Sequence, residues 1–298
     1  MSGWGIAGVE GPADQRPASR AIHTALAAAG ADGEPVVASI GGPDLVIRQV
    51  SLPPLSPARM LQALEVQHRE LGLLPPDQAV LDVQILRRGT DGTSNDVLSV
   101  SAPKARIEER LQQLAQAAVT ARALDVEPLA LLNAGLYLMG GEVEELVVLL
   151  TIGRRHSVLC LFSERGPVVA RYFAMGADAF AERLQATVAL SATKGPDIAR
   201  GEAACRDIID RMAEDIRLSL TFYRTEYDRE SLPRYAIGGS LPVPHVSRWI
   251  ATRLGLAAPF ELLDPFGALE VAAPPLPADG STSGSQFLHA FGLALRGL

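Results

Sequence analysis

Residues 146–176 read LVVLLTIGRRHSVLCLFSERGPVVARYFAMG, and this stretch decides the fold. Two apolar runs, 146–152 and 157–162, have the length of fully buried strands and are too short for helices. A polar turn that contains a glycine separates them. A third strand is predicted at 167–173 after a second polar turn, and an amphipathic helix over 178–190. The pattern therefore predicts a buried antiparallel hairpin, then a third strand, then a helix.

Composition places the chain among globular proteins. It has 298 residues, of which 48% are hydrophobic and 20% charged, so one large or two medium domains are expected. The net charge of −7 gives no electrostatic reason to bind nucleic acid. No apolar run approaches the ~18 residues of a membrane span, and the N-terminus lacks the basic and apolar segments of a secretory signal. A cytoplasmic protein is therefore predicted, with Cys160 and Cys205 as buried, inert thiols.

The segments on either side of the central stretch alternate between helical and strand patterns. N-terminal to it we predict helix 18–29, strands 36–40 and 45–52, a helix from Ser56, strands 80–86 and 97–102, helix 104–121, strand 124–128 and helix 129–139. C-terminal to it we predict helix 202–227, strand 233–237, helix 243–254, strand 260–263 and helix 286–296. In the helix from Ser56, an apolar face of Leu61, Leu64 and Leu71 is expected. His68 is expected to be a surface or a helix residue.

The order of hairpin, third strand and helix is typical of the beginning of a subdomain in the actin-like (ribonuclease-H-like) fold. In that fold the first turn holds a nucleotide phosphate. The chain as a whole resembles the PilM family, the actin-like cytoplasmic components of type IV pilus assembly, which is related in fold to FtsA and to the cytoplasmic part of GspL. The motifs that carry the resemblance are VIRQVSLP at 46–53, LDVE at 124–127, RYFAMG at 171–176, IRLSLTFY at 216–223, IGGS at 237–240 and AFGLALR at 290–296.

The resemblance implies an α/β, actin-like two-domain fold with an inserted small α+β subdomain. Residues 1–44 and 123–141 would form the remnant of the first actin-like subdomain, 45–122 the inserted subdomain, and 142–298 the second domain. The family opens with a strand hairpin that forms the first phosphate loop. Only about seventeen loop-like residues precede the first helix here, so this hairpin is expected to be missing.

Nucleotide binding is the first function that the fold raises. Actin-like ATPases hold phosphates between two hairpin turns, and a carboxylate on these turns holds Mg²⁺ through water. In the second hairpin this chain has Thr151 where the family has Asp, so no cofactor and no metal site is expected. No catalytic residue is predicted, because no base is evident that could position a water for hydrolysis. If ATP and magnesium did bind, the residues holding them would be Gly153, Ser157, Gly238 and Gly239.

Three further features of the sequence have alternative interpretations. The Arg154-Arg155-His156 cluster is a candidate anion site, although a solvated turn is favoured. Asp125 is expected to end a strand or to cap the following helix. The Gly238–Gly239 pair would allow the backbone to approach an adenine, but such a pair is more often a turn between a strand and a helix.

Peptide binding is the second function considered, and it requires fewer specific residues than nucleotide binding. In the family, a short N-terminal cytoplasmic segment of the membrane protein PilN docks in the groove between the first subdomain and the inserted one. An extended peptide gains hydrogen bonds from an open strand edge and specificity from alternate side chains. The resemblance places Ile47, Arg48, Val50 and Leu52 at this groove, with Arg48 either as a polar anchor or as an outward residue of an amphipathic strand.

The sequence thus predicts a scaffold protein of a type IV pilus or secretion platform, peripheral to the inner membrane. It would bind a PilN-like tail and other platform proteins, reach the membrane only through partners, and could form homo-oligomers. The alternatives are an actin-like ATPase and an FtsA-like polymerising protein. The last helix has few basic residues, and this argues against its being an amphipathic membrane anchor.

Overall fold

The structure is a computed structural model, and it describes residues 18–31, 33–71, 73, 75, 77–89, 92–140, 145–163, 168–189, 198–227, 232–240, 245–268 and 284–296. The chain divides into two compact units. Unit 1 comprises Met1–Glu127 and Arg296–Leu298, and unit 2 comprises Pro128–Leu295. The sequence analysis divided the chain into three parts rather than two, and that division stays a prediction.

Unit 1 alternates helices and strands. In chain order they are α1 (Ala18–Ala28), β1 (Val36–Ile40), β2 (Val46–Leu52), α2 (Pro57–Glu70), β3 (Ala79–Arg88), β4 (Asn95–Pro103), α3 (Lys104–Gln116) and β5 (Ala121–Val126). The strands form two sheets. One contains the parallel pair β1 and β5, and the other is antiparallel with the order β2-β4-β3.

Unit 2 is built around a larger sheet. Its elements are α4 (Glu127–Met139), β6 (Val147–Ile152), β7 (Ser157–Phe162), β8 (Val169–Phe173), α5 (Ala177–Ala189), α6 (Ile198–Ala204), α7 (Arg206–Tyr227), β9 (Arg234–Gly239), α8 (Val246–Leu254), β10 (Glu261–Leu262), α9 (Pro265–Ala268), a 3-10 helix (Gly284–Phe287) and α10 (Leu288–Arg296). The strand order is β10-β9-β6-β7-β8. The predicted hairpin and third strand are confirmed as β6, β7 and β8, which are successively antiparallel.

Both faces of the five-stranded sheet are covered. Every residue of β6 and β7 is buried, as a strand between two apolar layers requires. One face packs against α5, α7 and α8 in the main core, to which Leu150, Ile216 and Trp249 belong. On the other face, Gly135 of α4 lies where a Cβ would press on the Phe162 ring.

Several predicted details are corrected by the structure. The buried residues of α2 are Met60, Leu64 and His68, whereas Leu71 is exposed. Of the two alternatives for His68, the structure shows a helix residue, and it is buried. Met60 and Leu64 pack with Leu52 of β2 in the core beneath the antiparallel sheet. Residues four apart lie on one face of a helix, so positions 60, 64 and 68 are buried together.

Element boundaries are also corrected. The predicted helix 202–227 is two helices, α6 and α7, separated at the buried Cys205. The helix predicted to reach residue 121 ends at Gln116, and Ala118 has a positive φ of 55° that ends helical geometry. The next strand, β5, ends at Val126, and α4 begins at Glu127 rather than after Pro128. Within the described residues, none of the helices combines the length and the apolar character of a membrane-spanning segment.

Candidate functional site

The turn between β6 and β7 is the predicted phosphate loop, and its backbone is engaged by the protein itself. The Gly153 N–H donates a hydrogen bond of 3.0 Å to the His156 carbonyl and closes the turn. The carbonyls of Gly153 and Arg154 accept hydrogen bonds from the N–H groups of Ala177 and Asp178, at 2.9 and 3.0 Å. The first N–H groups of α5, which often bind anions at a helix start, are therefore occupied by this turn.

Side-chain hydroxyls near the turn are also satisfied internally. The buried Ser157 donates from Oγ to the Met175 carbonyl at 2.6 Å. Thr151 donates from Oγ1 to the Val158 carbonyl at 3.2 Å. Neither hydroxyl points to a ligand in this arrangement, and Thr151 supplies no carboxylate for a hydrated metal ion.

The Gly238–Gly239 pair lies at the end of β9, and the protein fills the space that its missing side chains leave. A Cβ on Gly238 would come within 2.7 Å of Cδ2 of the buried Leu288. Gly239 has a φ of +98°, and a Cβ there would overlap the backbone of Ile152. The Gly239 carbonyl accepts a hydrogen bond of 2.9 Å from Ser285 Oγ. These glycines are needed for close packing of the chain against itself.

The four residues predicted to hold a nucleotide, Gly153, Ser157, Gly238 and Gly239, all lie in unit 2 at the ends of β6, β7 and β9. The Gly153 N–H and the Ser157 hydroxyl donate within the protein, and Leu288 fills the space beside Gly238. The assignment of these four residues to a nucleotide site stays a prediction. Among the residues that the structure describes, no group of three or more His, Cys, Asp or Glu side chains could hold a metal ion.

The Arg154-Arg155-His156 cluster is exposed. Arg154 Nε lies 3.2 Å from Asp178 Oδ2, and these two side chains are 72% and 51% exposed. A carboxylate beside the guanidinium opposes the binding of a second anion, and exposed pairs of this kind contribute little to stability. The contacts are those of the solvated turn that the sequence favoured.

In unit 1, the open edge of β2 is the feature that could bind a peptide. β2 pairs with β4 on one side, and no described strand pairs with its other side. In an antiparallel pair, alternate residues direct both backbone groups away from the partner strand, so this edge offers donors and acceptors. Arg48 is exposed, and Ile47 and Val50 are partly buried.

The four residues predicted to bind a partner lie on two faces of this sheet. The face that carries α2 contains every second residue of β2, namely Arg48, Val50 and Leu52. Ile47 lies on the opposite face. Leu52 is 5% exposed and packs in the core with Met60, so it does not line a groove. The pattern of apolar and polar residues in β2 does not show which of the strand's two faces α2 covers.

Near Arg48 lies His68, the buried histidine of α2. His68 Nε2 is 3.5 Å from the hydroxyl oxygen of Ser99 on β4. Burial lowers the pKa of His68, and the positive charge of Arg48 lowers it further. A histidine in the apolar stripe of an amphipathic helix is a signal that could have placed it in the core.

Asp125 has a role that sequence reasoning did not find. It is a buried residue of β5, and its Oδ1 accepts a hydrogen bond of 2.7 Å from the Val126 N–H. Its Oδ2 lies 2.7 Å from Nη1 of Arg296, the last residue of α10. Both residues belong to unit 1. The carboxylate is thus neutralised by a residue from the far end of the chain.

A second polar cluster lies at the carboxyl ends of the parallel strands β1 and β5. After β1, the Gly41–Gly42 turn leads to Asp44, whose Oδ2 accepts hydrogen bonds of 3.1 and 2.8 Å from Nε and Nη2 of Arg106. A Cβ on Gly41 would overlap the Glu127 carboxylate, so a glycine is needed at this position. The glycine pair is therefore explained by side chains of the same unit.

The strand order of unit 2 and the alternation of its hairpin, helices and parallel strands define a protein with the actin-like ATPase fold. The family described as type IV pilus assembly protein PilM matches residues 13–298. The chain belongs to this PilM family, as its motifs predicted.

The chain is also similar in structure to several solved proteins. The PilM–PilN type IV pilus biogenesis complex matches with a TM-score of 0.75 and 22% identity, over 99% of this chain and 94% of that chain. The ethanolamine utilization protein EutJ from Carboxydothermus hydrogenoformans has a TM-score of 0.43 and 14% identity, with 80% and 72% covered. The archaeal actin homolog Ta0583 has a TM-score of 0.41 and 19% identity, with 93% and 74% covered. A comparison with curated protein sequences gave no match. The predicted fold class is confirmed.

Proposed function

We propose that this protein is a scaffold of a type IV pilus assembly platform and binds the cytoplasmic tail of a PilN-like membrane protein. The solved PilM structure to which it is similar is a complex with PilN. The observation that carries the proposal is the open edge of β2, beside which the exposed Arg48 lies. The protein would stand at the cytoplasmic face of the inner membrane and be held there by that tail.

The tail would add to β2 as an extended strand. Hydrogen bonds between main chains supply affinity that depends little on sequence, and side chains beside the edge supply specificity. Ile47 offers an apolar contact on one face, and Arg48 offers a guanidinium on the other. Val50 supports the strand from the core beneath, and Leu52 acts through packing rather than by direct contact.

The scaffold role does not involve ATP hydrolysis. In support of this, the Gly153 N–H and the Ser157 hydroxyl donate within the protein, and Leu288 fills the space beside Gly238. These contacts support a site with fewer groups free for ATP and magnesium than an active ATPase needs. The alternative function is that of an actin-like ATPase, because the protein has the fold of these enzymes.

Isothermal titration calorimetry tests tail binding. The ligand is a synthetic peptide with the sequence of the N-terminal cytoplasmic segment of the PilN-like protein encoded beside this chain. We expect Arg48→Glu and Ile47→Asp to weaken binding by about tenfold or more. The matched control is Arg88→Glu, which reverses an exposed charge on β3, the opposite edge of the same sheet. Equal affinity for wild type and both β2 variants would exclude this edge.

A second titration, with ATP and Mg²⁺, separates the scaffold from the ATPase. The scaffold proposal expects no binding heat and no phosphate release. Tight ATP binding without tail binding would favour the ATPase. Filaments seen by electron microscopy would instead favour a polymerising protein of the FtsA type.

A further inference from the structure

β3 forms the edge of the antiparallel sheet of unit 1 that lies opposite the proposed tail site. It pairs with β4 on one side, and no described strand pairs with its other side. The regular pairing of β3 with β4 runs from Ala79 to Ile85, and the register shifts between Ile85 and Arg87. The outer side of β3 therefore offers the backbone of a regular stretch to an added antiparallel strand.

Apolar side chains are present along the whole of this stretch. On the face that carries α2, Leu81, Val83 and Ile85 pack against the core but stay partly exposed. Near the two ends of the stretch, Val80 is 43% exposed and Leu86 is 45% exposed. Packing within unit 1 therefore leaves part of the apolar surface of β3 in contact with solvent, and an apolar edge strand is a site where another chain can pair.

Few features protect this edge from pairing. Natural edge strands usually avoid pairing by means of charged side chains, proline or a bulge. In residues 80–86, which read VLDVQIL, Asp82 is the one charged residue and proline is absent. The register shift lies at the end of this stretch, next to Arg87 and Arg88. Residues 80–86 are therefore the part of β3 that is suited to pairing.

Residues 80–86 have the same chemical order in both directions. From either end, two apolar residues come first, then a polar one, and then the central Val83. When two copies of a strand pair antiparallel about a two-fold axis, residues equally far before and after the axis lie opposite each other. An axis at Val83 sets apolar side chains against apolar ones, in the pairs Val83–Val83, Leu81–Ile85 and Val80–Leu86.

The two polar residues of the stretch complement each other. Asp82 and Gln84 are both exposed, and they lie on the same face of the sheet because they are two positions apart in a strand. Across the axis, Gln84 of one copy lies opposite Asp82 of the other, and its amide N–H can donate a hydrogen bond to the carboxylate. This pair occurs twice, so no two like charges lie directly opposite each other.

β2 and β8 also have a side with which no described strand pairs, but they lack this symmetry. In β2, an axis at the central Gln49 would set Arg48 against Val50. In β8, an axis at the central Arg171 would set two guanidinium groups against each other. The self-complementary order is thus a property of β3 and not of edge strands in general.

We propose that two copies of this protein pair through residues 80–86 of β3, about a two-fold axis at Val83, and form a continuous six-stranded sheet. Its strand order is β2-β4-β3-β3-β4-β2, with the last three strands from the second copy. A second copy fits this edge because each side chain of the stretch then meets one of matching chemistry. The pairing leaves the outer sides of both β2 strands unused, so it is compatible with the proposed tail site and does not depend on it.

Sedimentation equilibrium of the full chain tests the dimer. We expect the wild type to dimerise, and Gln84→Glu to weaken dimerisation about tenfold or more, because a carboxylate then lies opposite Asp82 on each side of the axis. Asp82→Lys combined with Gln84→Glu should restore the dimer, since an ammonium group then lies opposite each new carboxylate. The matched control is Gln112→Glu, the same change at an exposed position of α3, which should dimerise as the wild type does.

Disulfide trapping tests the register. In Val83→Cys the new thiol lies opposite its own copy across the axis, at a Cα separation that a disulfide can span, so oxidation should link the two chains. Leu81→Cys is the control, because position 81 lies opposite Ile85 and should not link to itself. The wild type measures the background, since its own Cys160 and Cys205 are buried.

Circular dichroism checks that every variant is folded, as is expected for changes at exposed positions such as 82, 84 and 112. A wild type that stays monomeric overturns the proposal. A dimer that Gln84→Glu leaves unchanged overturns it as well, because the two copies then meet through another surface. Oxidation that links Leu81→Cys but not Val83→Cys also overturns it, because the axis then lies elsewhere on the strand.

Discussion

Unit 2 and unit 1 each contain strands that pair in parallel, but the surroundings of these strands differ. In unit 2, β9 has neighbours on both sides, β10 and β6, and three of its six residues are buried. In unit 1, β1 pairs with β5 alone among the described strands, and one residue of its five, Ile40, is buried. β1 reads VVASI and β9 reads RYAIGG, so the less buried strand is not the less apolar one.

The difference shows that neighbours, rather than the apolarity of a strand, decide how deeply it is buried. The sheet of unit 2 is covered on both faces, since every residue of its strands β6 and β7 is buried. The sheets of unit 1 have only two and three described strands. We therefore expect unit 2 to lose more stability than unit 1 when a core residue is changed.

The largest effect is expected from a glycine of unit 2. In Gly292→Ala, the new Cβ would overlap the backbone carbonyl of Ala130, because α10 crosses α4 at this point. Two helix backbones must move apart, so we expect a loss of ~3 kcal/mol or more in the free energy of unfolding. The matched change in unit 1, Gly41→Ala, meets the end of the flexible Glu127 side chain and should cost much less. Chemical denaturation followed by circular dichroism measures both; equal losses would contradict the contrast between the units.

Two isoleucines at corresponding places provide a second test. Ile237 of β9 is 1% exposed in the main core, and Ile40 of β1 is 4% exposed at the end of its strand. We expect Ile237→Ala to cost about 4 kcal/mol and Ile40→Ala about 2 kcal/mol, because Ile237 belongs to the main core whereas Ile40 is the one buried residue of its strand. Urea denaturation gives the two values, and Ile→Val at each position is the milder control. A larger loss at Ile40 would show that unit 1 is the better packed.

The ion pair of Asp125 should be important to unit 1. Arg296→Ala leaves the buried Asp125 carboxylate without its guanidinium, and we expect a loss of about 2 kcal/mol, which is reduced because Arg296 is 42% exposed. Arg296→Lys keeps the charge and should recover part of the loss. Hydrogen exchange of the β5 amides would report the effect locally. Unchanged exchange in Arg296→Ala would mean that water already satisfies Asp125.

The smallest effect is a pH dependence in unit 1. Burial, and to a lesser degree Arg48, lower the pKa of His68 in the folded protein. The unfolded chain therefore binds a proton at a higher pH than the folded one, and stability falls as the pH drops through the unfolded pKa of about 6.5. His68→Gln should remove this part of the slope between about pH 7.5 and about pH 5.5 in urea denaturation. A variant with the wild-type slope would assign the dependence to other groups.

The sequence was most informative where a pattern is local. Continuous apolar runs predicted β6 and β7 because strands buried on both faces need apolar residues at every position. The face of α2 was mispredicted because Leu61 and Leu71 are as apolar as Leu64, and only the sheet beneath decides which side is covered. The pair of Asp125 and Arg296 could not be predicted, because these residues are far apart in the chain and meet only after folding.

The sequence by itself determined the family, the order of the elements and the presence of a glycine-containing hairpin where a nucleotide clamp would lie. Only the tertiary structure decided what these glycines and hydroxyls contact. Leu288 reaches Gly238, and Met175 accepts from Ser157, through contacts between elements distant in sequence. The physical reason is that a residue type specifies which interactions are allowed, whereas the packing of neighbouring elements decides whether the protein or a ligand satisfies them.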